Sequence, residues 1–147
     1  MRITSFADYG LRSLMYLALL PDGELSSVAK VASAYQVSQN HLTKVIGQLR
    51  KCGYIEAIRG KGGGIRLAKS PHLIRIGQVL RDMESHHDGV DCMTAPCALM
   101  PNCRLKQALA DAVQSFFESM DNYTLADLVT GNHEVQQVIT IEQPSNT

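Results

Sequence analysis

SQNHLTKVIGQLRKCGYIEAIRGKGGGIRLA, residues 38–68, is the stretch on which the fold turns. Ser38 is a good N-cap, and Leu42, Val45, Ile46 and Leu49 follow at helical spacing, so a helix with one buried stripe starts there. Gly53 stands where a helix end wants a glycine of positive φ. Tyr54 to Arg59 then reads as a strand. Gly60-Lys61-Gly62-Gly63-Gly64 reads as a hairpin loop, and Ile65 to Ala68 as the returning strand. A hairpin directly after a helix with a polar outer face is a wing. The glycine loop lacks the Gly-Lys-Ser/Thr ending of a phosphate-binding loop, and no helix follows it at once.

Upstream, Ser26 or Ser27 begins a shorter helix with Val28, Val31, Ala32 and Tyr35 on one face. The break at Gln36-Val37 joins it to the helix after Ser38 as a helix-turn-helix. Ser5 is expected to cap a first helix running to about Leu20, with Ala7, Leu11, Leu14, Met15 and Ala18 as its packed face, and Pro21-Asp22-Gly23 turns the chain.

Downstream of Pro71, a short helix is expected from about Ile76 to Glu84. Residues 85–102 read as a polar loop, and a long helix runs from about Cys103 to Asn122. Its apolar positions, Leu105, Ala108, Leu109, Ala112, Val113, Phe116, Phe117 and Met120, form a stripe wider than one neighbour needs. Thr124 caps a further short helix ending at Gly131-Asn132, and the tail from about Glu142 is expected to be disordered. The fold class is therefore mainly α. A winged helix-turn-helix domain (1–81) is followed by a cysteine loop and dimerisation helix (82–131) and a C-terminal tail (132–147).

The chain is 45% hydrophobic, enough for a core and against global disorder. Its net charge of zero hides an asymmetry. Residues 1–81 carry 12 Lys/Arg against 4 Asp/Glu, a charge of +8, while residues 82–147 carry 2 against 10, a charge of −8. A basic first half points to a polyanion. No apolar run is long enough for a membrane span and the N-terminus lacks a secretory pattern, so a cytoplasmic protein is expected. No nucleophile–base pair, paired catalytic carboxylates or cofactor fingerprint argues for an enzyme.

A major-groove helix presents its N-terminal and outward side chains to base edges. Here those are Gln39, Asn40, His41 and Lys44, with Gln48 and Lys51 further along. Gln and Asn suit adenine, and Lys suits guanine or phosphate. Ser26, Ser27 and Ser38 at helix starts suit phosphates. Arg59 and Lys61 flank the wing tip and are placed for a minor groove. Double-stranded DNA is the expected partner.

Of the four cysteines, Cys92, Cys97 and Cys103 fall within twelve residues. In a reducing compartment such a cluster reads as a metal or redox site before a disulfide framework. The spacing is wider than usual zinc pairs and better fits a multi-iron cluster. A fourth ligand must come from elsewhere. His86 and His87 precede the first cysteine, and Cys52 reads as structural.

ITSFADYGLRSLMYLALL (3–20), RGKGGGIRL (59–67), CRLKQAL (103–109) and QSFFESMDNYTLADLV (114–129) resemble the winged-helix iron–sulfur regulator family that contains IscR, and within it the nitric-oxide-sensitive NsrR branch. The resemblance covers about residues 1–130. It implies a homodimeric repressor in which the long helix crosses to the partner. It also implies a [4Fe-4S] cluster, favoured over [2Fe-2S], held by Cys92, Cys97 and Cys103 of one subunit and Asp8 of the other, with Arg12 orienting Asp8. Nitric oxide is the implied signal. From the residues alone, Asp8 and Arg12 form an ordinary i, i+4 helix pair. A metal-free thiol switch, a zinc-stabilised module, and a regulator answering to iron–sulfur supply or general redox state remain as alternatives.

Overall fold

The computed structural model describes residues 2–94 and 97–141, in the order α1 (Ser5–Ala18), α2 (Val28–Tyr35), α3 (Gln39–Lys51), β1 (Ile55–Ile58), β2 (Gly64–Leu67), a 3-10 turn (Pro71–Leu73), α4 (Ile76–Met83), α5 (Arg104–Met120), α6 (Leu125–Val129) and α7 (His133–Ile141). Helices dominate, and the one sheet among these residues is the antiparallel β1–β2 hairpin, so the mainly α winged-helix architecture expected from residues 38–68 is the one observed.

Helix α1 is the centre of the molecule. It packs against α3, α4, α6 and β2, and Ala7, Leu14, Tyr16 and Leu17 along it are buried. Thr4, rather than the expected Ser5, is its cap. Thr4 Oγ1 accepts from the Ala7 amide at 3.2 Å, while the Thr4 amide donates to Glu84 Oε1 at 2.8 Å. That second bond ties the start of α1 to the end of α4.

Ser27 and Ser38 cap α2 and α3 through bonds of 3.1 and 3.0 Å from the Lys30 and His41 amides. The turn between them needs a left-handed residue, and Gln36 supplies it at φ 53. Leu42, Val45, Ile46 and Leu49 are the buried stripe of α3, as their spacing predicts. Gly53 follows the helix at φ 84, the conformation that only glycine adopts without cost.

In the wing, Glu56 pairs opposite Arg66 and Ala57 opposite Ile65, with Arg66 Nε bonded to Glu56 Oε1 across the outer face. Ser26 extends the hairpin by one rung, exchanging two 2.9 Å main-chain bonds with Ile65. Gly64 permits that approach, since a Cβ there would lie 2.3 Å from the Ser26 carbonyl oxygen.

Past residue 81 the chain still completes the first core. Leu125 and Ala126 of α6 are buried, with α6 against α1 and the 3-10 turn. The Leu125 amide donates to the Ile74 carbonyl and the Ile76 amide to the Tyr123 carbonyl, both at 2.9 Å. Thr124 and Asp127 form the reciprocal capping box of α6. Residues 133–141, assigned to the tail on sequence, are helical as α7. The disorder expected from Glu142 lies outside the described residues.

Helix α5 buries only Val113 and Phe117. Leu105 is 64% exposed, and Ala108 and Ala112 are exposed as well. Part of the apolar stripe that the sequence showed, at Leu105, Ala108 and Ala112, is therefore open within a single subunit. Among the described residues, no helix is long and apolar enough to cross a membrane.

Candidate nucleic-acid interface and cysteine connection

Gln39, Asn40, Thr43 and Lys44 are exposed together on the first turns of α3, and Arg50 and Lys51 are exposed at its end. This face combines amide groups that match adenine with cations that match guanine or phosphate. Arg59 and Lys61 are exposed at the wing tip, on a loop that turns through Gly60 at φ 96 and Gly62 at φ 77. Thr43 and Arg50 were not singled out from the sequence. Their exposure follows from the 100° step along α3, which turns each of them off the buried stripe of Leu42, Val45, Ile46 and Leu49.

Three of the candidates on and around this face point elsewhere. Ser26 is only 5% exposed and its main chain is committed to Ile65. Its hydroxyl is turned inward without a hydrogen-bond partner among the described residues, so it is not presented to a phosphate. His41 packs edge-on against Tyr9 and Phe6, with ring centroids 5.7 and 6.4 Å apart, and joins α3 to α1. Gln48 turns back to donate to the Asp82 carbonyl at 3.3 Å and to Cys52 Sγ at 3.5 Å. Ser27 and Ser38 each accept one helix amide, which leaves their hydroxyl hydrogens to donate.

All four cysteines carry free thiols. Cys92 is half-buried and Cys97 exposed on the connection between α4 and α5. Cys103 is half-buried and caps α5, its Sγ accepting from the Lys106 amide at 3.5 Å. The connection is pinned at a few points. Asp91 Oδ1 accepts from the Met93 and Thr94 amides at 3.0 Å, and its carboxyl is held below the usual range by bonds from the Thr94 side chain and these amides. Gly89, at φ 76, lies against Leu109 and Val113 of α5. His87 packs edge-on to Phe117 at 5.2 Å.

Among the described residues, no group of three or more His, Cys, Asp or Glu side chains is gathered in one subunit. The three thiols that the sequence grouped are thus brought onto one connection but not around one point. Cys52, half-buried at the end of α3, stands apart. Burial, with the Asp82 charge, pushes its thiol up and keeps it protonated.

Asp8 Oδ1 accepts from Arg12 Nε at 2.9 Å, the i, i+4 pair expected of a helix surface. Both line a groove of about 520 Å³ with Leu11, Met15, Leu128 and Val135. Asp8 therefore sits at the polar edge of an apolar depression formed by α1, α6 and α7.

The family model described as an iron-dependent transcriptional regulator, Rrf2, matches residues 3–131. Among solved structures, CymR of B. subtilis, described as the global cysteine regulator of that organism, is 26% identical, with 88% of this chain and 97% of that one covered at a TM-score of 0.71. IscR of T. potens is 26% identical over 92% and 91% of the two chains, at a TM-score of 0.72. An oxidized form of CymR from Staphylococcus aureus is 27% identical over 88% and 97%, at 0.68. The family match runs from α1 through the wing to the capping box of α6, and so spans the helix-turn-helix, the cysteine connection and the long helix together. The chain belongs to the Rrf2 family of transcriptional regulators.

Proposed function

We propose that this regulator is a homodimeric, DNA-binding repressor whose Cys92, Cys97 and Cys103 hold an iron–sulfur cluster, with the partner subunit's Asp8 as fourth ligand and nitric oxide as signal. One observation carries the reading: three free thiols within twelve residues sit on the connection that leads straight into the N-cap of α5. The donor set fits, since soft thiolates suit iron–sulfur clusters and a carboxylate is a weak, exchangeable partner. Among the described residues of a single subunit, no His, Cys, Asp or Glu group is gathered around these thiols, and the reading takes its fourth ligand from a second copy.

In this reading the open apolar stripe of α5 meets its counterpart in the partner, as in the dimers common among such regulators. Gln39, Asn40 and Lys44 of each α3 enter successive major grooves, with half-sites roughly 34 Å apart. Arg12 holds the Asp8 carboxylate in orientation. The three thiolates fix the connection and so the start of α5 relative to α4. When bound, the cluster supplies iron that reacts with nitric oxide. Release of the connection from that grip loosens the spacing of the two heads, and a coupling of about 3 kcal/mol weakens operator binding on the order of 100-fold.

The test is anaerobic purification with iron and sulfide quantification, then DNA affinity before and after stoichiometric nitric oxide. An iron-loaded dimer whose affinity falls supports the reading. Unchanged affinity with iron present leaves a regulator answering to iron–sulfur supply or redox state. A second reading, a metal-free thiol switch, is favoured by the likeness to the oxidized CymR structure. A colourless anaerobic protein that responds to oxidants supports it instead. Stoichiometric zinc would identify a structural module.

A further inference from the structure

Away from the exposed face of α3 and from the cysteines, polar groups from α3, α4 and the start of the wing converge on Asp82, in the last turn of α4. Its Oδ2 accepts from the Tyr54 hydroxyl at 2.5 Å, its Oδ1 from Gln78 Nε2 at 3.1 Å, and its main-chain carbonyl from Gln48 Nε2 at 3.3 Å. Gln48 belongs to the end of the recognition helix. Tyr54 is the root of the wing: its amide donates to the Leu49 carbonyl of α3 at 3.0 Å, and its carbonyl accepts from the Ala68 amide beyond β2 at 2.9 Å. Tyr54 is only 4% exposed. Burial, with Asp82, drives its phenol well above its ordinary value, so the hydroxyl stays a donor.

We propose that Asp82 is a positioning residue for DNA reading, which fixes the wing and the end of α3 relative to one another so that both engage one duplex in register. The inference rests on the reading of α3 and the wing as the DNA-contact surface. A hairpin of two four-residue strands has little stability of its own, so its place is set by its anchors. Besides the buried Ile55 and Ile65, two polar anchors hold it: the Ser26–Ile65 rung and Tyr54 on Asp82. Without the second, the wing pivots on the first. Phosphate contacts tolerate such a pivot, whereas base contacts do not.

The test uses the full-length protein, prepared anaerobically, and a duplex selected by the wild type from a random-sequence pool, set against a scrambled duplex of equal length. Tyr54→Phe and Asp82→Ala are expected to lower the ratio of selected to scrambled affinity about tenfold, the scale of one good base contact. Affinity for the scrambled duplex should stay within about twofold. Asp82→Asn, which still offers Tyr54 an oxygen, should keep most of the ratio, and the double variant should be no worse than either single one. Tyr54→Phe keeps the buried ring and carries the test if Asp82→Ala unfolds. An unchanged ratio in Tyr54→Phe would overturn the proposal, as would an equal fall on both duplexes in step with a lower Tm. A wild type that selects no duplex would overturn the DNA-contact reading itself.

Discussion

The Arg81 guanidinium grips the Asp121 carboxylate with two parallel bonds, Nη1 to Oδ1 at 2.7 Å and Nη2 to Oδ2 at 2.8 Å, and so clamps the last turn of α4 to the end of α5. Arg81 also lies over the Phe117 ring at 5.2 Å. The Arg81 bonds hold the Asp121 carboxyl below its ordinary value. A depressed folded value means that the stabilisation is complete above the ordinary carboxylate pKa near 4 and is lost as pH falls through the folded value. The side chains are 24% and 38% exposed, so solvent screening keeps the pair at about 0.5–1 kcal/mol. Unfolding free energies of wild type and Asp121→Asn from urea titration should differ by this amount at about pH 6 and draw together toward about pH 3. A gap that stays constant over that range would show that the charge on Asp121 contributes nothing.

Gly77 is the second condition of the same contact. A Cβ there would lie 2.0 Å from Asp121 Oδ1 and 2.6 Å from the Phe117 carbonyl oxygen. The carbonyl is main chain and cannot step aside. Gly77→Ala should cost about 1–3 kcal/mol, as overpacking does. Gly10→Ala is the comparison, because its new methyl would meet chiefly the flexible end of Met83 and should cost less. Denaturation of the two variants side by side checks the order.

Lys44 and Lys61 are exposed, and in the proposed DNA-contact surface they contribute charge rather than folding energy. Each Lys→Ala change should reduce the slope of log affinity against log salt by about 1, with little change in Tm. His41→Ala should do the reverse. Its ring is wedged against Phe6 and Tyr9, so the loss should appear in thermal unfolding more than in the salt slope. Salt titrations of DNA binding, paired with melting curves, separate the two kinds of residue.

Cys103 caps α5, and the ligand role proposed for it can be separated from that cap. As the cap of α5 it needs only an acceptor, which serine supplies better than a thiol, while any metal chemistry needs sulfur. Cys103→Ala should destabilise the metal-free protein by about 0.5–1 kcal/mol, and Cys103→Ser should leave it unchanged or firmer. Both should lose iron in the proposed cluster reading. Retention of a full complement of iron by Cys103→Ser would remove Cys103 from the ligand set.

The helix-turn-helix and wing were legible because their punctuation is local: Ser38 before α3, Gly53 after it, and a glycine loop between two short apolar strands. The cap of α1 was misplaced by one residue, since Thr4 and Ser5 offer the same hydroxyl and only the fold shows that Thr4 Oγ1 reaches Ala7. Helix α7 was missed because Gly131-Asn132 reads as a stop. Yet the Asn132 side chain accepts from the Val135 amide at 3.2 Å and so begins the next helix. Gln39, Asn40, Lys44 and Lys51 are exposed on α3 as their spacing predicts, but His41 and Gln48 turn inward toward Phe6, Tyr9 and Asp82, partners about thirty residues away in sequence that no local pattern reveals. On the cysteine connection there is no periodicity to read, and sequence could group the thiols without arranging them.

The return of α6 to α1 changes what the long helix is mechanically. Its far end is fastened to the same head from which it departs, by the Arg81 clamp and by the main-chain stitches at Ile74 and Ile76. The arm is a closed handle rather than a trailing stalk, and torque applied along it reaches the head at both fastenings. Any chimera that grafts this head onto a foreign oligomerising helix must carry residues 121–129 across the junction, or it will open the floor of its own core.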